Sequence, residues 1–197
     1  MQTVLKMAHP DITVYSEFLP PTVCHALITY ASEHVSKSSV VDSITGEGVE
    51  HSARTSSGMF FSRGQNQLIA AIEERIANVT GIPVENGEGM QVLRYQVGQE
   101  YRPHYDQFDL TNPGSTSHIS RGGQRIATLL IYLNTPEAGG ETVFPNANVS
   151  VSAIQGNVLL FRYPNPADTP LTLHGGNPVI KGEKWVATKW MRVGEFK

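Results

Sequence analysis

Tyr101-Arg102-Pro103-His104-Tyr105-Asp106 is the stretch on which the fold and the chemistry of this chain turn. His104 and Asp106 stand two residues apart. Side chains on a β-strand alternate faces with period two, so the imidazole and the carboxylate share one face. Pro103 sets the pair at a strand start or edge, where a missing N–H is tolerated. Far downstream, His174 closes a short apolar run and is followed by Gly175-Gly176, which allow close approach of backbone or ligand. Two imidazoles and one carboxylate on one side of a divalent ion leave other coordination positions open.

Those ligand types alone admit zinc, which favours a closed tetrahedral set or three ligands with one open position. Two histidines and one carboxylate with open positions are also the pattern of non-haem Fe(II) oxygenases. Lys184 decides between them. It begins a strand on which Lys184, Val186, Thr188 and Trp190 share one face, and Trp185, Ala187, Lys189 and Met191 the other. A lysine among apolar neighbours is costly without an anion, and the distal carboxylate of 2-oxoglutarate supplies one. The remaining histidines, His9, His25, His34, His51 and His118, read as structural or surface residues.

At 197 residues the chain suits one domain able to bury a substantial core. An apolar fraction of 40% with 17% charged residues is ordinary for a globular protein. The net charge of -3 gives no sign of a nucleic-acid or anionic-membrane partner. The single cysteine, Cys24, cannot form an intrachain disulfide and reads as a buried small hydrophobe. No apolar stretch has signal-peptide length and none reaches the ~18 residues of a membrane span. A cytoplasmic location is therefore expected.

Two textures divide the chain. Residues 1–88 read as helical and loop support for a β-rich core over 89–197. Pro20-Pro21-Thr22 opens a helix carrying Val23, Ala26, Leu27, Tyr30 and Ala31 at helical spacing. Ser36 to Arg54 reads as a loop or irregular hairpin. Asn66 to Val79 is the clearest helix, striped by Leu68, Ile69, Ile72 and Ile76 and stopped at Thr80-Gly81. Strands are expected over 90–95, 125–133, 141–144, 157–163, 171–174 and 184–193. Without intervening helices, these predict an antiparallel sandwich or barrel. Asp109 to Gly123, rich in Asn, Pro, Gly and Ser, is expected to be a loop forming a lid over the site.

Several segments, in order, resemble the prolyl 4-hydroxylases, both the short single-domain forms and the catalytic domain of the collagen enzymes. They include Arg54-Thr55-Ser56-Ser57-Gly58, Gln91 to Tyr95, Gly98 to Asp106, Gly122-Gly123-Gln124-Arg125, Gly139 to Pro145, Leu173-His174-Gly175 and Gly182 to Trp185 with Thr188-Lys189-Trp190. The resemblance implies an α+β, mainly β fold: a double-stranded β-helix (jelly-roll, cupin-like) core with supporting N-terminal helices. It implies that His104, Asp106 and His174 bind iron. It makes Lys184 the partner of 2-oxoglutarate, helped by Tyr95 and Thr128, and counts Lys184 with the three ligands among the catalytic residues. Arg54, Ser56, Glu88, Tyr101, Arg125 and Trp190 match positions of the family's peptide groove.

The implied reaction is Fe(II)- and 2-oxoglutarate-dependent hydroxylation of peptidyl-proline by O2, releasing succinate and CO2, with L-ascorbate as reductant. Proline-rich or collagen-like peptides, pre-extended as polyproline II, are the expected partners. Met191-Arg192 departs from the family, in which many members carry an apolar residue and then histidine after the tryptophan. That departure bears on which peptide binds. Three other readings stand beside this one: a 2-oxoglutarate oxygenase of free amino acids or alkylated bases, a catalytically silent jelly-roll that binds proline-rich segments, and a zinc-binding structural domain.

Overall fold

Alternation of side chains decides the architecture. The computed structural model describes residues 1–37, 40–41, 48–49, 55–163 and 166–197. The strands that position the site are, in its first half, β1 (Gln2–Met7), β2 (Asp11–Ser16), β3 (Ser57–Phe61), β4 (Met90–Tyr95) and β5 (Tyr101–His104). The second half supplies β6 (Arg125–Tyr132), β7 (Thr142–Phe144), β8 (Val149–Val151), β9 (Val158–Arg162), β10 (His174–Gly176) and β11 (Lys184–Arg192).

They form two antiparallel sheets. The larger runs β1-β2-β9-β6-β11-β4-β3, with the two-residue strand Ser36–Lys37 on its far edge; the smaller runs β8-β7-β10-β5. This is the jelly-roll that the strand spacing and the family resemblance imply. On β6, Ala127, Leu129 and Ile131 belong to one apolar cluster, while Tyr132 belongs to another. On β11, Trp185, Ala187 and Met191 join the first cluster and Val186 the second. Both strands are therefore covered on two faces, which explains their near-continuous apolar sequence.

The first cluster is closed by two helices. Helix α1 (Pro21–Ser32) starts with proline at its first position, where the N–H has no intrahelical partner, and buries Cys24, Leu27 and Ala31. Helix α2 (Gln67–Thr80) is capped by the Asn66 side chain, which accepts a hydrogen bond from the Ile69 N–H at 2.9 Å. It ends where Gly81 turns into the left-handed region at φ 71°. Its stripe Ile69, Ile72 and Ile76 is almost wholly buried, each side chain stabilising the fold by roughly 1.5–3 kcal/mol. Inside that apolar layer, Lys189 of β11 pairs with Glu73 of α2; both are nearly inaccessible.

Two expectations need correction. The first 88 residues contribute strands as well as helices: β1 and β2 form a hairpin whose second strand pairs with β9 in the large sheet. The predicted strand over 171–174 is instead a 3-10 helix, Pro166–Thr172, running into β10. The expected loop over Ser36 to Arg54 falls largely outside the described residues. Among the described residues, no helix is long and apolar enough to cross a membrane.

Candidate active site

Close packing of β5 against β10 creates the site. The two strands are antiparallel, with His104 directly opposite His174. A Cβ on Gly175 would lie 2.7 Å from the Tyr101 carbonyl oxygen and 3.0 Å from the Pro103 nitrogen. Only glycine lets the backbones come this near, and that approach sets the two imidazoles 4.5 Å apart, centroid to centroid.

Each imidazole is oriented from behind. His104 Nδ1–H donates to the Arg102 carbonyl at 2.9 Å, and His174 Nδ1–H donates to the Thr172 carbonyl at 2.9 Å. A carbonyl only accepts, so both rings are held in the tautomer whose bare Nε2 points away. Both Nε2 atoms face Asp106, His104 at 3.6 Å from Oδ1 and His174 at 3.5 Å from Oδ2. The three donor atoms all lie within 4.8 Å of one another.

Asp106 is oriented in turn. Thr128 Oγ1 donates to Asp106 Oδ2 at 2.7 Å and, its one proton spent, accepts from the Tyr163 hydroxyl at 2.7 Å. Burial raises the Tyr163 hydroxyl well above its ordinary value, with the charge of Asp106 adding to the effect, so it remains a donor. Burial also pushes the Asp106 carboxyl up. His174, His104 and Arg125 more than offset this, and it sits well below the usual carboxylate range. Burial pulls His174 down to about 4, against the opposing charge of Asp106, leaving the neutral imidazole a metal requires. Two neutral nitrogens and one anionic oxygen, each with its supporting hydrogen bond, fit Fe(II).

These groups open into a cleft of about 440 Å³. Lys184 lies at another part of its wall, 4% exposed, with Nζ 5.5 Å from the ring centre of Tyr95, its cross-strand partner, and 5.8 Å from that of Tyr132. Among the described residues its ammonium makes no hydrogen bond or ion pair. Burial pulls it down to about 8, although Glu141 draws it partly back. A buried cation with apolar and aromatic neighbours is a site for an anion. Gly176 connects the two regions: a Cβ there would lie 3.6 Å from Lys184 Nζ. It is two residues from His174, about 6.6 Å along a strand, within the reach of a short dicarboxylic acid.

The other expected site residues divide. Tyr95, Tyr101 and Trp190 line the cleft, and Tyr101 stacks on His104 with ring centres 3.6 Å apart. Trp190 Nε1 is buried and, among the described residues, has no hydrogen-bond partner. Thr128 does not line the cleft; its hydroxyl belongs to Asp106 rather than to the Lys184 end. Thr142 faces the cleft instead, accepting from the Tyr132 hydroxyl at 2.9 Å. Glu88 and Arg125 form a bidentate pair (2.6 and 2.9 Å) beside the cleft, with the Arg125 guanidinium 4.1 Å from the Trp190 ring centre. Ser56 is fully buried away from the cleft wall, and Arg54 lies outside the described residues. Tyr163, Thr142 and Arg192 were not picked out as site residues. Tyr163 and Thr142 are marked in the sequence only by their neighbourhood to family motifs, and Arg192 only as part of a departure from the family pattern.

Residues 90–192 match the family model of the 2OG-Fe(II) oxygenase superfamily, and the chain belongs to that superfamily. It is an iron- and 2-oxoglutarate-dependent dioxygenase. Within that class it belongs to the prolyl 4-hydroxylases. It is 46% identical to probable prolyl 4-hydroxylase 3 of Arabidopsis thaliana over 209 residues, covering 95% of this chain and 71% of that one. It is 45% identical to prolyl 4-hydroxylase 5 of the same plant, covering 95% and 70%. The structure of a viral collagen prolyl hydroxylase from Paramecium bursaria Chlorella virus-1, in complex with 2OG, superposes with TM-score 0.69. That match has 29% identity and covers 91% of this chain and 94% of that one. A Pseudomonas putida prolyl-4-hydroxylase, 18% identical, shares the fold with TM-score 0.63 over 93% of both chains.

Proposed function

We propose that this chain hydroxylates proline within proline-rich peptides, with His104, Asp106 and His174 holding iron and Lys184 anchoring the distal carboxylate of 2-oxoglutarate. One observation carries the reading. Three ligand atoms, each backed by a hydrogen bond that fixes its orientation, meet in a cleft whose wall also holds a buried cation without an ion-pair partner. Bound iron supplies the redox chemistry by which O2 and 2-oxoglutarate are converted to succinate, CO2 and a hydroxyl on the proline ring.

The protein supplies placement. Lys184 neutralises one end of the cosubstrate in a region with few other polar partners, so the keto-acid end points toward the ligand set. Tyr95 and Thr142 flank that path with groups able to hydrogen-bond a carboxylate. Thr128, itself held by Tyr163, fixes the Asp106 carboxylate in rotamer. Tyr101, stacked on His104, and Trp190 form apolar walls suited to a proline ring, and the unpartnered Trp190 N–H can meet a backbone carbonyl. Arg125 and Glu88 stiffen the rim behind Trp190. An extended polyproline II peptide loses little entropy on docking against such a surface. L-ascorbate serves as reductant after turnovers in which no peptide is oxidised.

The test is to incubate the pure protein with Fe(II), ascorbate, 2-oxoglutarate and a panel of peptides that includes polyproline and collagen-like Pro-Pro-Gly repeats. A mass gain of about 16 Da per modified proline, one oxygen atom, with matching succinate is expected. Succinate formation that no proline peptide stimulates, while a free amino acid or alkylated base does, would overturn the peptidyl-proline reading.

A further inference from the structure

The buried guanidinium of Arg192 has no part in the reaction as described above, yet it is among the most heavily bonded side chains near the site. It closes β11, past a register shift between Met191 and Arg192, and is 1% exposed. Nε donates to Glu88 Oε1 at 2.6 Å; Nη1 donates to the carbonyls of His118 at 3.0 Å and Gly123 at 2.6 Å. Those carbonyls flank the end of the segment that follows Asp106, where the short helix α3 (Ser115–Ile119) interrupts the loop expected over Asp109 to Gly123.

The same carboxylate serves both arginines. Arg125 Nε also donates to Glu88 Oε1, and Arg125 Nη1 donates to the Asp106 carbonyl at 3.3 Å. Both guanidinium groups contact the Phe108 ring, at 4.7 and 4.9 Å from its centre, and Phe108 stacks on His118 at 5.0 Å. Gln124 closes the base of the segment by bonding both the N–H and the carbonyl of Phe108, at 2.9 and 2.7 Å. The segment is thus fastened at its beginning and its end, and one fastening is shared with the rim arginine that lies on Trp190.

We infer that Arg192 is a positioning residue for the peptide: it clamps residues 108–123 in place before substrate arrives and, through Glu88, fixes Arg125 against Trp190 at the cleft rim. The chemistry suits a guanidinium in particular. Its forked N–H donors bridge one carboxylate and two carbonyls at once, whereas a histidine has two ring nitrogens and lysine offers a compact point charge. The lid expected from the sequence is, on this reading, a fixed wall. Lys184 is eight residues away on the same strand, about 26 Å, so the cosubstrate anchor lies beyond the reach of the clamp.

The peptide role rests on the peptidyl-proline reading, whereas the clamp itself can be measured without any substrate. Amide hydrogen exchange on the peptide-free protein reads the N–H groups of Ser120, Arg121 and Gly123, which bond to Thr116, His118 and Ile119. In Arg192→Gln these should exchange at least about tenfold faster than in the wild type, with Arg192→Lys intermediate. In wild type, adding a peptide that is turned over should change them less than about twofold. Steady-state kinetics should show KM for the peptide raised about tenfold in Arg192→Gln and partly restored in Arg192→Lys, with KM for 2-oxoglutarate held within about twofold. Unchanged exchange in a folded Arg192→Gln protein, or equal rises in both KM values, would overturn the inference. Strong protection of the wild-type segment by peptide would do the same, and needs no variant. Failure of the wild type to hydroxylate any peptide would instead count against the function reading and leave the exchange result to judge the clamp.

Discussion

Replacing Lys184 with methionine should stabilise the protein while crippling it. The folded lysine titrates near 8 rather than 10.5, chiefly because burial disfavours the charged form. A depression of that size corresponds to about 3 kcal/mol of destabilisation while the group is charged. The sign follows from proton counting. Between pH 8 and 10.5 the unfolded chain holds a proton that the folded chain has lost, so stability rises with pH across that window and the penalty is full below it. Lys184→Met removes the penalty and should raise unfolding stability at pH 7 by up to about 3 kcal/mol, an advantage that shrinks above pH 8. Binding of 2-oxoglutarate should reverse the depression, because the distal carboxylate favours the ammonium. Wild-type affinity should therefore be flat below about pH 7.5 and fall up to about tenfold per unit above pH 8, with roughly half a proton taken up per cosubstrate at pH 8. Calorimetric titration in buffers of differing ionisation heat, with a redox-inert divalent ion in place of iron, reads that proton directly. No net uptake anywhere between pH 7 and 9.5, or unimpaired 2-oxoglutarate binding by Lys184→Met, would refute the reasoning.

Other substitutions probe separate parts of the structure. Thr128→Val keeps the shape but leaves Asp106 Oδ2 and the Tyr163 hydroxyl without their shared partner; metal affinity should weaken 10- to 100-fold, roughly, measured by Co(II) titration. Gly175→Ala should drive β10 away from the Tyr101 carbonyl, 2.7 Å from the added carbon, and lower metal affinity by at least about tenfold in protein that still folds. Glu73→Gln strands the buried Lys189 and should cost about 3–5 kcal/mol in urea unfolding, whereas the double replacement Glu73→Leu with Lys189→Met should recover most of that loss.

How much of this was legible beforehand depends on the range over which each signal acts. The candidate ligand set can be paired from sequence because His104 and Asp106 obey a two-residue period and His174 has glycines beside it. The stripe and cap of α2 were equally local. The β1–β2 hairpin carries no strand signal because β1 is mostly exposed and β2 has a run of consecutive buried residues, so neither alternates, and its sheet partner β9 lies far along the chain. The 3-10 helix before β10 is masked because Leu171-Thr172-Leu173-His174 alternates apolar and polar residues as a short strand does, while the helix, Pro166–Thr172, ends within it. Only the family resemblance places Thr128 with the cosubstrate. Its actual partner, Asp106, is chosen by the stagger between two sheets, which one-dimensional spacing does not encode. The Arg192 cluster draws on residues from four separated segments, and only folding brings them together.

The most direct test of the assignment is a crystal structure of the protein with Mn(II) and 2-oxoglutarate. One ion should be bound by Nε2 of His104, Nε2 of His174 and a carboxylate oxygen of Asp106, with the far carboxylate of the cosubstrate against Lys184 Nζ. An ion held by other residues, or a cosubstrate carboxylate resting on a different cation, would contradict it.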